Sequence, residues 1–124
     1  MSTQRESPLR ARTFMPVWSA ALLCALLAVV AYATSLGNGF AYDDQSIVVE
    51  NAVVTGPASV GQILASPYWG SRKMGGLYRP FTVATYALNH RLAGLAPFGY
   101  HLVNVLLHAA VSALVLLVAL EWLG

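Results

Sequence analysis

Two stretches of the chain decide its fold: VWSAALLCALLAVVAYATSL at Val17–Leu36 and LVNVLLHAAVSALVLLVAL at Leu102–Leu120. Neither stretch contains a charged residue, and a helix of about 20 apolar residues spans the roughly 30 Å hydrocarbon core of a bilayer. The chain of 124 residues is 57% hydrophobic and only 10% charged, whereas soluble domains are usually about a quarter charged. The apolar residues are clustered, which predicts two membrane spans.

The two spans predict an all-helical membrane protein whose long extracytoplasmic loop joins two transmembrane helices. We predict four parts: a basic cytoplasmic tail at 1–15, transmembrane helices at 16–36 and 101–121, and the loop at 37–100. Three arginines and one acid precede the first span, and a cationic flank favours the cytoplasmic side. A secretory signal peptide is the alternative for the first run, although signal cores are only about 7 to 15 residues long.

Charge and cysteine content exclude several function classes. The formal net charge of +2 is small and scattered along the chain, so the basic patch that binds nucleic acid is missing from the sequence. The single cysteine, Cys24, lies in the first apolar run. An intrachain disulfide and a Cys-x-x-Cys metal or redox site are therefore excluded.

The end of the loop predicts a third helix, at 80–95. Proline suits the first helical position, and apolar residues then recur at spacings of three and four. We expect this amphipathic helix to lie in the membrane interface. The residues of the apolar stripe are Phe81, Ala84, Leu88, Leu92 and Leu95.

An acidic pair, Asp43 and Asp44, follows two aromatic residues near the start of the loop. Paired carboxylates serve as general bases, electrostatic stabilisers or metal ligands when their surroundings separate their pKa values. The alternative is a solvated turn in which an aspartate caps the following segment. The residues alone leave both interpretations open.

Several cations in the loop are available to a phosphate group at the membrane surface. Arginine offers bidentate geometry to phosphate oxygens, and Arg79, at the start of the predicted helix, is the best candidate. Arg91 and the Arg72–Lys73 pair are better explained by long side chains that reach the lipid headgroups. Trp69, which follows Tyr68, either stacks on a sugar or anchors the loop.

A polar stripe runs along the second span, where His101, Asn104 and His108 share one side of the helix. Polar side chains within a span usually face a protein interior or a water-filled cavity, so we predict that this stripe packs against other helices through hydrogen bonds. The two histidines lie roughly 10 Å apart along the helix axis, which is too far for one metal ion. We therefore assign no metal site to them.

A series of short motifs in the loop and the second span is similar to one protein family. Taken in order, the chain resembles, from about residue 36 to 115, the N-terminal end of the transmembrane O-mannosyltransferases that modify cadherins. Their bacterial relatives share the pattern, in which a multi-span domain is followed by tetratricopeptide repeats. The motifs are Gly39-Phe40-Ala41-Tyr42-Asp43-Asp44, Asn51, Tyr68-Trp69-Gly70, Tyr78-Arg79-Pro80-Phe81-Thr82, Ala87-Leu88-Asn89-His90 and Gly99-Tyr100-His101-Leu102-Val103-Asn104-Val105-Leu106-Leu107-His108.

The resemblance implies a GT-C type glycosyltransferase that takes a sugar, here mannose, from a polyprenyl phosphate. It implies that Asp43 and Asp44 are the catalytic carboxylates. One of them acts as the base that removes the proton from a Ser or Thr hydroxyl of the protein acceptor. On chemical grounds we expect Arg79, with His101 behind it, to stabilise the lipid phosphate, and Trp69 is a further donor-binding candidate. No cofactor is assigned, and assistance by a divalent metal is left open.

The further spans and the repeats of that family do not occur in these 124 residues. We expect this chain to be the N-terminal part of such an enzyme. We also expect it to be inactive alone, because two helices and a loop cannot enclose a lipid-linked sugar. Its expected partners are membrane lipid, the donor, the acceptor and further helices, in a bacterial plasma membrane or, in a eukaryote, the endoplasmic reticulum. The alternative is a non-enzymatic two-span protein that acts as an interaction or assembly partner.

Overall fold

The computed structural model describes residues 15–70 and 76–123, and in these ranges every regular element is helical. A 3₁₀ helix at Ala33–Gly37 continues the first helix, and a π-helical turn at Gln45–Val49 precedes the second. The prediction of an all-helical protein is confirmed for these residues. The α-helices are α1 (Val17–Tyr32), α2 (Ala52–Thr55), α3 (Val60–Ala65), α4 (Pro80–Ala93) and α5 (Pro97–Leu123).

The two long helices, α1 and α5, pack against each other in antiparallel directions. The Cys24 thiol lies 3.5 Å from the carbonyl oxygen of Ser112. Later in α1 and earlier in α5, the ring of Tyr32 meets the ring of His108 edge to face, with 4.6 Å between centroids. Small side chains at the contact let two helix backbones approach closely. The buried alanines of the pair are Ala21, Ala28 and Ala109.

The outer surfaces of these helices are apolar and exposed. The helical stretches Val17–Gly37 and Pro97–Leu123 are both long and apolar enough to cross a membrane, yet only 6% and 11% of their most apolar windows are buried within the protein. A core helix of a soluble protein would bury most of such a surface. The described chain therefore contains two candidate membrane-spanning helices.

The loop between them has its own small core, to which α5 contributes its first turn. The inner face of α4 packs on α2 and α3 through Val83 and Ala87, which are 0% and 2% exposed. Ser59 and Gln62 cap α3 reciprocally, which satisfies amide groups that a six-residue helix cannot pair internally. The buried members of this core are Ile47, Val48, Val54, Ile63, Tyr68, Val83, Ala87 and Tyr100.

Helix α4 carries its large apolar side chains on the side away from that core. Phe81, Leu88 and Leu92 are 82%, 58% and 77% exposed. The helix ends at Ala93 because Gly94 adopts a positive φ of +61°, and after the three residues 94–96 α5 begins at Pro97. The start of α5 therefore holds one end of α4, and its outward stripe remains available to lipid or to another apolar surface.

Candidate functional site

The acidic pair lies in a tight turn that the second aspartate closes. The Asp44 amide donates to the carbonyl of Ala41 at 3.0 Å, and one Asp44 carboxylate oxygen, Oδ2, accepts from the Ala41 amide at 3.0 Å. Tyr42 takes a left-handed φ of +46° within the turn and is 99% exposed. Asp44 is half-buried and fixed by its own backbone contacts, whereas Asp43 is exposed. One carboxylate is thus held in place and the other is open to solvent.

The Asp43 backbone also starts the next element. Its carbonyl oxygen accepts from the amides of Ser46 and Ile47, both at 2.9 Å, so the acidic turn leads directly into the π-helical turn. Ile47 and Val48 of that turn are buried in the loop core. The acidic turn is therefore anchored to the buried core of the loop.

Arg79 lies at the start of α4 and rests on an aromatic ring. Its guanidinium carbon is 5.0 Å from the centroid of the Tyr68 ring, a distance at which the ring face attracts a cation. Tyr68 is buried, and its amide donates to the carbonyl of Leu77 at 2.9 Å. The arginine itself is exposed, so its charge is oriented by the ring while remaining accessible.

Tyr86 of α4 is half-buried, and its ring lies 6.0 Å from that of Tyr100. Tyr68, Asp44 and Arg79 all influence its hydroxyl electrostatically. Burial raises the pKa of Tyr86 above its ordinary value, Tyr68 and the Asp44 carboxylate raise it further, and Arg79 opposes them. The structure thus brings Asp44, Arg79, Tyr68 and Tyr86 into one cluster.

Sequence reasoning missed Tyr86. The signal that could have found it is the second face of α4, since Tyr86 follows Val83 by three residues and therefore lies on the same side of the helix. The larger apolar residues lie on the opposite, outward side of the helix, so periodicity alone indicates that side as the apolar face.

Trp69 lies beside this cluster. Its ring meets that of Tyr68 edge to face at 5.4 Å, and it is half-buried. The next residue, Gly70, has a φ of +61°, and a Cβ there would lie 3.1 Å from the side chain of Asn51. Asn51 is 2% exposed; it donates to the carbonyl of Ile47 and accepts from the amide of Val53. The buried amide thereby supports the turn that presents Trp69.

The polar stripe of α5 does not act as one unit. His101 is half-buried, and its Nε2 atom is buried without a hydrogen-bond partner among the described residues. Asn104 and His108 are exposed, and His108 contacts α1 through Tyr32. The residue of α5 that reaches the loop cluster is Tyr100, whose ring lies 6.0 Å from that of Tyr86. Within 15–70 and 76–123, no three His, Cys, Asp or Glu side chains form a metal-binding group.

The remaining cations fall into two groups. Arg91 is exposed and donates to the carbonyl of Ala58, which ties the end of α4 to the segment before α3. Arg72 and Lys73 lie outside the described residues, as does most of the basic tail at 1–15. Among the described residues, Arg79 is the cation that lies over the Tyr68 ring.

The fold and these residues define a helical membrane protein with two candidate spans and a loop whose small core carries acidic, arginine and aromatic groups. Protein O-mannosyl-transferase Tmtc1 of Drosophila melanogaster is 40% identical over 100 residues, which cover 77% of this chain and 12% of that protein. Tmtc2 of the same organism is 40% identical over 103 residues, 79% of this chain and 11% of the relative. Human TMTC4 is 33% identical over 119 residues, 92% of this chain and 16% of the relative.

The resemblance drawn from the motifs is confirmed: the chain is homologous to the TMTC protein O-mannosyl-transferases over most of its own length. It spans between 11% and 16% of the length of these three relatives. No family model matches the chain, and no solved structure matches it.

Proposed function

We propose that this chain forms the donor-side part of a membrane protein O-mannosyltransferase, which transfers mannose from a polyprenyl phosphate to Ser or Thr hydroxyls of a protein. The observation that carries the proposal is the similarity to proteins named protein O-mannosyl-transferases over 77% to 92% of the chain. That Asp44 and Arg79 both influence the pKa of Tyr86, in opposite directions, supports it, because the reaction needs a proton acceptor and a cation in one site.

In the proposed reaction the acceptor hydroxyl oxygen attacks the anomeric carbon on the side opposite the phosphate. Its proton passes to one of the two aspartates, the bond from the anomeric carbon to the phosphate oxygen breaks, and the electron pair leaves with the lipid phosphate. A single displacement of this kind inverts the anomeric configuration. Asp43 is the more accessible base, and Asp44 is the better oriented one.

Arg79 is proposed to stabilise the charge that develops on the leaving phosphate. A cation held in position before the reaction avoids the cost of reorganisation in the transition state, and the Tyr68 ring supplies that position. Trp69 offers an aromatic face for the sugar, and His101 is a reserve hydrogen-bonding partner from α5. The site as proposed uses this chain's own side chains.

We propose the following membrane arrangement: a cytoplasmic tail at 1–15, spans at 16–36 and 101–121, and an extracytoplasmic loop at 37–100 whose helix α4 lies in the interface. The sequence predicted this helix at 80–95, and the structure ends it at Ala93. The exposed Phe81, Leu88 and Leu92 of α4 support this placement, because an interfacial helix buries its apolar face in the headgroup and acyl boundary. The host membrane is proposed to be a bacterial plasma membrane, or the endoplasmic reticulum in a eukaryote.

The isolated 124-residue chain is proposed to be inactive. Arg79 and Asp43 are exposed, whereas transfer to a hydroxyl other than water requires a site that excludes water. Incubation of the purified chain with lipid-linked mannose and an acceptor peptide checks this point, and transferred mannose would contradict it.

The proposal is tested by exchanging the matching segment of Drosophila Tmtc1 for this chain and measuring mannose transfer to a Ser- and Thr-containing acceptor. Asp43→Asn and Asp44→Asn should each be made in the exchanged protein, with Glu50→Gln as the matched control, an exposed carboxylate of the same loop. Loss of a general base typically lowers the rate about 100-fold or more. We expect such a loss for at least one aspartate and none for Glu50→Gln.

Two outcomes would contradict the proposal. One is an exchanged protein that reaches the membrane intact but transfers no mannose, because the segment would then fail to supply the site. The other is full transfer in both aspartate variants, which would favour a non-enzymatic assembly role for the two-helix unit.

A further inference from the structure

The tip of the acidic turn consists of two residues, Tyr42 and Asp43, whose side chains are both exposed. Two hydrogen bonds between Ala41 and Asp44, each 3.0 Å long, close the turn behind them. The Asp43 carbonyl then accepts the amides that begin the π-helical turn. The backbone of the tip is therefore held on both sides, and its two side chains leave the protein together.

Tyr42 occupies a backbone position that disfavours a side chain. Its φ is +46°, and glycine is the usual residue where the second position of a tight turn has a positive φ. The Tyr42 side chain is 99% exposed, so burial of the ring within the fold does not offset the steric cost. A strained position that the packing of the chain does not require indicates a contact with a ligand.

The other residue of the tip indicates which ligand this is. Asp43 is the more accessible of the two proposed bases, and a base must come within hydrogen-bond distance of the hydroxyl from which it takes the proton. Neighbouring Cα atoms are about 3.8 Å apart, so the ring beside Asp43 can reach the residues that flank this hydroxyl. Tyrosine is common in protein contacts because it offers a large, rigid ring with few rotatable bonds.

The charge of the turn favours a ligand from the aqueous side over the lipid bilayer. Asp43 is exposed and Asp44 is half-buried, and a carboxylate is costly to place in the acyl region. The loop offers a separate apolar surface to lipid, the outward stripe of α4, where Phe81 and Leu92 are 82% and 77% exposed. A ring that only anchored the loop in the membrane would also gain nothing from the strained backbone.

We propose that the Tyr42 ring is a contact surface for the protein acceptor: it packs on the side chain next to the Ser or Thr whose hydroxyl meets Asp43. This inference rests on the proposed function and adds a preference among acceptors. An apolar residue beside the hydroxyl binds better than a glycine in its place, because only the former covers the ring. Tyr42 makes no contact with the lipid-linked donor.

The first experiment measures acceptor kinetics in Drosophila Tmtc1 whose matching segment is replaced by this chain. Two peptides are compared at saturating donor, with valine or glycine beside a single threonine. Loss of an aromatic side chain at the centre of a protein contact should raise KM for the valine peptide about five- to thirtyfold in Tyr42→Gly. The preference for the valine peptide should disappear in the same variant, while KM for the donor stays unchanged.

Matched variants separate the ring from the backbone. Tyr42→Asn also lacks the ring, and asparagine tolerates a left-handed φ, so its KM should rise as in Tyr42→Gly. Tyr42→Phe keeps the ring and should stay within about twofold of the parent. Val60→Ala alters another exposed apolar residue of the loop, 67% exposed on α3, and should leave KM unchanged. Because Tyr42→Gly relieves backbone strain, its higher KM would not come from unfolding.

The second experiment tests the membrane as the alternative partner of the ring. The chain has three tryptophans, Trp18, Trp69 and Trp122. Their replacement by phenylalanine, together with Tyr42→Trp, leaves one indole at the tip of the turn. In phosphatidylcholine nanodiscs that contain the 124-residue chain, we expect acrylamide in the water to quench this indole and brominated phosphatidylcholine to leave it unquenched. Quenching by the brominated lipid would identify a membrane anchor and overturn the inference.

The outcomes separate this inference from the proposed function. If the exchanged protein transfers no mannose, the proposed function fails and the inference fails with it. If mannose is transferred but Tyr42→Gly leaves the acceptor KM and the valine preference unchanged, only the inference is overturned. It is equally overturned if Tyr42→Gly alters kcat or the donor KM alone, or if Val60→Ala raises the acceptor KM as much.

Discussion

Gly70→Ala should be among the most damaging single-methyl changes in the loop, because it acts on both the backbone and a buried side chain. Gly70 has a φ of +61°, and the added Cβ would lie 3.1 Å from Cγ and Oδ1 of Asn51 and 3.3 Å from Nδ2. The left-handed backbone costs an L-residue about 1 to 2 kcal/mol. Displacing the Asn51 amide weakens its bonds to Ile47 and Val53, which adds about 1 to 2 kcal/mol. The expected loss of unfolding free energy is about 2 to 4 kcal/mol.

The assay is reversible unfolding in mixed micelles of a mild detergent and dodecyl sulfate, followed by circular dichroism. Gly76→Ala is the matched control, since no atom lies within 4 Å of a Cβ at that position, and we expect a change within about 0.5 kcal/mol. Asn51→Ala removes the side chain that the new methyl meets. In that background Gly70→Ala should cost only its backbone strain, about 1 to 2 kcal/mol. An equal cost in both backgrounds would refute the contact with Asn51 as a cause.

Three further predictions concern packing, backbone strain and alkaline pH. Ala109→Leu should lower the free energy of unfolding by about 1 to 3 kcal/mol, because Ala109 is buried. Ala110→Leu, on the exposed side of the helix, should change it little. Equal losses in the unfolding assay would contradict the α1–α5 packing. Tyr42→Gly should gain up to about 1 kcal/mol in the same assay, since Tyr42 has a φ of +46° and is 99% exposed, and a loss would reveal an interaction of its ring. Burial raises the pKa of Tyr86 above 10.0. The contribution of this residue to the free energy of unfolding is therefore complete below pH 10.0. It is lost as the pH rises further, at no more than about 1.4 kcal/mol per pH unit. Stability measured above pH 10.0 should therefore fall less steeply in Tyr86→Phe, and parallel curves would contradict this.

The sequence predicted the long helices because their signal is local. An uncharged run of about 20 residues has few stable conformations in a bilayer other than a helix, since every backbone amide must be paired within the segment. The structure accordingly has helices at Val17–Tyr32 and Pro97–Leu123. The order of the loop motifs likewise predicted the family, and the similarity to Tmtc1 confirms it.

The orientation of α4 could not be read from its periodicity. The stripe that contains Phe81, Leu88 and Leu92 is the larger apolar face, which in a soluble protein would be the buried one. In this chain the buried positions are the smaller Val83 and Ala87. Where lipid replaces water outside the protein, large apolar residues are stable on the outer surface and small ones allow close packing within. The pattern identifies an amphipathic helix without saying which face meets protein.

The cluster around Tyr86 also lay beyond the reach of the sequence, because its members come from four separate segments. Asp44, Tyr68, Arg79 and Tyr100 each carry a recognisable local role, as a turn acid, a loop aromatic, a helix-start cation and a helix-start aromatic. Contacts between these segments relate them in space: Arg79 lies over the Tyr68 ring, and Tyr86 of α4 packs on Tyr100 of α5. No motif in the neighbouring sequence marks Tyr86, and its place in the site is visible only from its contact with Tyr100.

Two aromatic contacts relate the loop to one point on a candidate membrane-spanning helix. Phe40, beside the acidic turn, and Tyr86 of α4 both pack on Tyr100 in the first turn of α5. A donor whose phosphate lies at the headgroup level and whose chain lies in the bilayer needs a site at a fixed depth. Tyrosine suits this purpose because it has few rotatable bonds and combines an apolar ring with a polar tip at the membrane boundary. If α5 spans the membrane as proposed, its first turn sets the depth of the aspartate and the arginine together, and a tilt of α5 would move the two as one unit.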